Sequence, residues 1–162
     1  YCESALGIYE RKHVHHSRGE HATGLTELAL VYERMNEREQ ALTFLQQGLD
    51  ILKGVPGHQN DVLGIEGQMG VLFYALGRYE EAFVAFNNAV SKLRAGGEHK
   101  SALVGSILNR MGLACLSSND IYRSIDLFLE AKAIFEEMWG IEHAYTLAVL
   151  SNLVGAYDAL GR

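Results

Sequence analysis

Among 162 residues there is a single proline, Pro56, and there are two cysteines, Cys2 and Cys115. One proline against 17 glycines excludes collagen-like and proline-rich disordered chains. No uninterrupted apolar run reaches the ~18 residues of a membrane-spanning helix. The cysteines lack CxxC or CxxH spacing, so neither a disulfide framework nor a zinc site is indicated, and a reducing, intracellular compartment follows as the default. Positive charge is also scarce: 14 Lys+Arg against 20 Asp+Glu leaves a net charge of −6. Such a balance suits basic partners better than nucleic acid, whose phosphates need clustered cations. With 48% hydrophobic residues the chain can bury a core.

What is present is a repeat. Leu25 to Tyr32, Glu66 to Phe73, Leu108 to Cys115 and Leu150 to Tyr157 share one pattern. A large apolar residue (Leu28, Met69, Met111, Leu153) precedes a mostly small one (Ala29, Gly70, Gly112, Val154), at steps of 41, 42 and 42. A turn residue follows at a fixed offset: Asn36, Gly77, Asn119 and Gly161, all types that tolerate a left-handed backbone. Beyond each of the first three turns, small residues flank a bulky one at i, i+4 and i+7: Ala41-Leu45-Gly48, Ala82-Phe86-Ala89 and Ser124-Phe128-Ala131. This spacing puts all three on one helical face, where a second helix can approach closely.

The expected architecture is therefore all-α: antiparallel helix pairs stacked into a right-handed superhelical solenoid. A second helix of a preceding repeat is expected at about 2–12. Pairs follow at about 22–35 and 38–54, 61–76 and 79–95, and 101–117 and 121–138, with a last first-helix at about 143–160. Linkers are expected at His13–Glu20, Gly54–Asn60 and Ala95–Lys100. The organisation is one domain: a partial repeat 1–21, repeats at about 22–62, 63–104 and 105–146, and a partial repeat 147–162. Beginning with Tyr1 and stopping in mid-motif, the chain reads as a fragment of a longer solenoid. The last helix is then expected to leave Leu150, Leu153 and Tyr157 uncovered and prone to self-association.

These residues resemble the tetratricopeptide repeat. The second unit, with Met69-Gly70, Phe73, Gly77, Tyr79, Ala82, Phe86 and Ala89, matches its pattern most fully. The period exceeds the common ~34 residues. That longer period, with Gly140-Ile141-Glu142-His143 leading into Leu150-Ser151-Asn152-Leu153, resembles kinesin light chain repeats, and the stretch from Ile65 onward resembles the plant kinesin-light-chain-related proteins. The resemblance implies a cytoplasmic, cytoskeleton-associated scaffold at cortical microtubules that contacts basic IQ-domain proteins. A cargo adaptor of a kinesin motor and a structural spacer within a longer solenoid are the alternatives.

No catalytic, cofactor or metal site is expected. The cluster His13-Val14-His15-His16 carries imidazoles that ligate zinc, but Arg11, Lys12 and Arg18 flank it and repel cations. It reads as a basic loop, with weak contact to an anionic surface such as acidic tubulin tails as the alternative. Cys115 replaces the repeat's aromatic and reads as core. Glu80-Glu81 and Glu136-Glu137 point about 100° apart on a helix and cannot share a substrate. Gly64, Gly67 and Gly70 lie inside a helix, so they are no phosphate loop; Gly67 and Gly70 make room for a neighbouring helix or an inserted side chain. The phenylalanines read as packing, with Trp139 partly exposed. The candidate ligand face is the groove lined by first helices, mapped from the repeat's core Leu or Met positions (Leu28 in the first unit) to Glu27, Leu30 and Arg34; Gln68, Val71 and Tyr74; Asn109, Arg110 and Leu113; and Ser151, Asn152 and Gly155. Asn109 and Asn152 match the Asn pair of the light-chain helix start, whose amides would clamp a peptide backbone.

Overall fold

The computed structural model describes the backbone of residues 2–161 and the side chains of residues 18–161. The described residues form seven helices: α1 Cys2–Arg34, α2 Arg38–Leu52, α3 Gln59–Ala75, α4 Tyr79–Ala95, α5 Ala102–Ser117, α6 Ile121–Trp139 and α7 Ala144–Leu160. Among them there is no strand, and the fold is an all-α repeat of helix pairs. The chain divides into two compact units, residues 1–65 and 66–162.

Three helix ends share one geometry because they share one turn chemistry. Asn36, Gly77 and Asn119 adopt φ of 65°, 77° and 69°. The next residue's N–H then reaches back to the carbonyl five positions earlier: Glu37 to Tyr32, Arg78 to Phe73 and Asp120 to Cys115, each at 2.8 Å. These bonds satisfy carbonyls that a helix end leaves orphaned and reverse the chain into the second helix. Gly161 differs, with φ of −73° in the right-handed region.

The small-large-small faces are buried as their spacing predicts. In the first unit Ala41, Leu45 and Gly48 are buried on α2, with Ile65 Cδ1 3.5 Å from where a Cβ on Gly48 would stand. In the second unit Phe86 and Phe128 are fully buried, and each lies across a glycine of the first helix. A Cβ on Gly70 would stand 2.5 Å from the Phe86 ring, and one on Gly112 2.5 Å from Phe128. Only a residue without a side chain lets the rings seat there.

Three expectations fail. The linker at His13–Glu20 is absent, because α1 runs unbroken from Cys2 to Arg34. No proline interrupts that stretch, and Gly19 serves packing instead of a break: a Cβ there would collide with the His58 imidazole. The side chains of the histidine cluster lie outside the described residues; Arg18 is exposed. Leu28 is 44% exposed and is not core, since the helix phase turns Leu25 and Ala29 inward instead. Leu153 is buried together with Thr146, Val149 and Ala156 on the face of α7 that packs on α6, so only Tyr157 is exposed among the three residues expected to be uncovered, with Leu150 half-buried.

Candidate interaction groove

The predicted groove residues lie on first helices, at positions between the buried stripe and the outer surface. In the second unit α3 supplies Gln68, Val71 and Tyr74, and α5 supplies Asn109, Arg110 and Leu113. Val71, Tyr74, Arg110 and Leu113 line one cavity of about 220 Å³, floored by Phe86 of α4. Its walls are apolar and aromatic, and its one cation is the exposed Arg110. Such a recess accepts a bulky side chain from an extended chain lying along the helices. Gln68 is half-buried, and its Nε2 has no hydrogen-bond partner.

Two side-chain bonds tie neighbouring first helices, and they sit at different places. The Asn152 amide donates to Asn109 Oδ1 at 2.9 Å, joining α7 to α5. Tyr74 Oη and Ser117 Oγ are 3.0 Å apart, joining α3 to α5. Both pairs are 43 residues apart, one repeat plus one residue. One repeat earlier, the positions of Asn109 and Asn152 are held by Gly67 and Arg110. No amide bridge can form there, and a Cβ on Gly67 would meet nothing within 4 Å. The step between α5 and α7 is thus closed by an amide pair, whereas the step between α3 and α5 has no amide pair and is bridged by Tyr74 and Ser117 beside the cavity. Ser151 and Gly155 are exposed on α7.

In the first unit Glu27, Leu30 and Arg34 are exposed along α1. Glu27 borders an open cavity of about 380 Å³ with Glu20, Thr23, His58 and Asp61, where His58 Nδ1 lies 3.0 Å from Asp61. This cleft is acidic. Sequence reasoning missed Phe86 as a floor and Ser117 as a partner. The spacing of one repeat plus one residue, already visible in Asn109 and Asn152, is the signal that could have found Ser117.

Cys115 is buried, and desolvation, followed by the nearby Asp120 carboxylate, raises its thiol pKa to about 11. A neutral buried thiol is a poor nucleophile. In a Cys2→Ser variant, iodoacetamide at pH 8 is expected to leave Cys115 unmodified until denaturant is added. Mass spectrometry showing rapid alkylation of the native chain would refute this. Among the described residues no group of His, Cys, Asp and Glu is placed to hold a metal ion. No helix of the described residues is long and apolar enough to cross a membrane.

No family model matches the chain. Protein KINESIN LIGHT CHAIN-RELATED 3 of Arabidopsis thaliana is 49% identical over all 162 residues, which make up 25% of that protein. These are tetratricopeptide repeats of the kinesin light chain-related type. The chain spans about a quarter of the length of the curated relatives it matches. Among solved structures, BtubC (BKLC) from P. vanneervenii superposes with a TM-score of 0.78 at 23% identity, over 86% of this chain and 56% of that one. The first tetratricopeptide domain of Spaghetti (RPAP3), bound to the HSP90 peptide SRMEEVD, superposes with a TM-score of 0.66 at 14% identity, over 89% and 96%. At these identities the two structures share the fold alone with the kinesin light chain-related repeats.

Proposed function

We propose that these repeats are a non-enzymatic docking surface for a protein partner, and that they link such partners to cortical microtubules. The observation that carries the reading is the cavity between α3 and α5, where four groove residues converge over Phe86 beside a groove step that no amide bridge closes. Support also comes from the name of the Arabidopsis relative and from the neighbouring fold seen with a peptide bound. The net charge of −6 and the carboxylates of Glu20, Glu27 and Asp61 on one cleft favour a basic partner, such as an IQ-domain scaffold protein.

A pull-down with a basic IQ-domain scaffold, alongside microtubule co-sedimentation at two salt concentrations, tests this. The chain is expected to capture the scaffold and to pellet with microtubules when the scaffold is present. Salt-sensitive pelleting of the chain alone would place a direct lattice contact in these repeats. Replacing Asn109 and Asn152 together by alanine should weaken capture several-fold. Because one neutral side-chain bond contributes only ~1 kcal/mol, unfolding should change little. Failure of the unaltered chain to capture the scaffold would leave the spacer reading in its place.

A further inference from the structure

Ser117 is the last residue of α5, and its Oγ lies 3.0 Å from Oη of Tyr74, which lines the cavity together with Arg110. From Ser117 to Asp120 every residue is exposed, and the turn leaving the helix passes through the left-handed Asn119. Asp120 stands three residues beyond the serine. Among the serines and threonines of the chain only Ser17 and Ser117 have a carboxylate at that offset. Ser17 lies well inside the uninterrupted α1, whereas Ser117 opens an accessible turn. A carboxylate three residues after a serine is the charge pattern that an acidophilic protein kinase reads with a basic pocket. The neighbouring Ser118 lacks that carboxylate, and its hydroxyl donates to the Cys115 carbonyl at 3.1 Å.

Arg110 lies seven residues before Ser117, two turns and roughly 10 Å along the same face of α5. It is exposed and forms no ion pair with any described residue. The other cation near this turn is already committed, because Arg123 Nε is 3.4 Å from Asp120 and its guanidinium lies over the Phe83 ring.

We propose that Ser117 is a phosphorylation site for an acidophilic, ATP-dependent protein kinase, and that its phosphate pairs with Arg110 and closes the cavity. In the transfer, Ser117 Oγ bonds to the γ-phosphorus of ATP as the bond to the β–γ bridging oxygen breaks. ADP leaves, and the hydroxyl proton passes to the base of the kinase. The ester has no O–H to share with Tyr74, and its charge of about −2 stands at the negative end of α5, one turn from Asp120. Arg110 offsets that charge with two parallel N–H donors, and in reaching it the side chain crosses the mouth of the cavity toward Tyr74. The effect on docking rests on the function proposed above; the modification and the pairing do not.

The 162-residue chain, incubated with an acidophilic kinase of the casein kinase type and MgATP, is expected to carry phosphate at Ser117 by mass spectrometry, and the Ser117→Ala variant to lose that modification. Phosphorus NMR reads the pairing. The second ionisation of the phosphate should occur at lower pH in the modified chain than in its Arg110→Gln variant, since a nearby cation favours the dianion. Arg123→Gln should move it less. In calorimetric titration the basic IQ-domain scaffold should bind the phosphorylated chain at least tenfold more weakly than the unmodified one. Added negative charge alone would strengthen the hold on a basic partner, so a loss of affinity reports closure of the cavity. If the unmodified chain does not bind the scaffold, the docking reading falls, and the NMR comparison still decides the pairing. Absence of phosphate at Ser117, a titration that Arg110→Gln leaves in place, or equal affinity of the modified chain and a binding unmodified chain would each overturn the proposal.

Discussion

Phe128→Ala is expected to lower the unfolding free energy by ~3–5 kcal/mol, the usual cost of emptying a phenylalanine site in a packed core. The ring is fully buried and lies across Gly112, so its removal leaves a void that the adjacent helix cannot fill without moving. The same contact predicts the reverse defect. Gly112→Ala puts a Cβ 2.5 Å from the ring and should cost ~1–3 kcal/mol by overpacking, despite the better helix propensity of alanine. If the cause is steric, Phe128→Leu should make Gly112→Ala less costly than it is in the native background. Such non-additivity is the signature of side chains in contact. Urea denaturation of the four chains of this cycle measures it. Strict additivity would mean that glycine is needed at residue 112 for some reason other than the phenylalanine.

Lys92→Met should have the second-largest effect. Glu66 is 4% exposed, and both its oxygens accept from Lys92 Nζ, at 2.7 and 2.8 Å. One repeat on, the same position is Leu108, and two repeats on it is Leu150, so this carboxylate occupies an apolar slot. Removing one partner of a buried pair costs ~3–5 kcal/mol. The lysine side chain is about half exposed, which screens the pair. A loss of ~2 kcal/mol is therefore the reasonable expectation. Combining Lys92→Met with Glu66→Leu should recover most of that loss, because replacing both charges with packed apolar groups is often neutral or better. A double variant as unstable as Lys92→Met alone would show that the slot needs the charge.

The helix pairs were legible because their requirements are steric and local. Close approach demands glycine, alanine or serine at fixed offsets from a bulky residue, and a reversal into a second helix demands Asn or Gly. Asn36, Gly77, Asn119, Phe86 and Phe128 therefore announce their roles in the sequence alone. Leu28 and Leu153 were misread for a different reason: the same residue type is buried or exposed according to what covers that face of its helix, which periodicity does not state. The unbroken α1 was missed because Gly19 signals a break and a close contact equally well, and only the His58 ring decides between them. In the groove, the residue types could be mapped one by one. Their convergence over Phe86 and the bonding of Asn109 to Asn152 depend on which residues of adjacent first helices face each other.

The docking account stands or falls on the cavity between α3 and α5. The direct measurement is calorimetric titration of a basic IQ-domain scaffold into the chain and into its Leu113→Glu variant, which sets a carboxylate on the cavity wall. The account predicts binding by the former and at least a tenfold loss of affinity in the latter, with melting temperatures nearly equal because Leu113 is only half-buried. Equal affinity for both chains would contradict it.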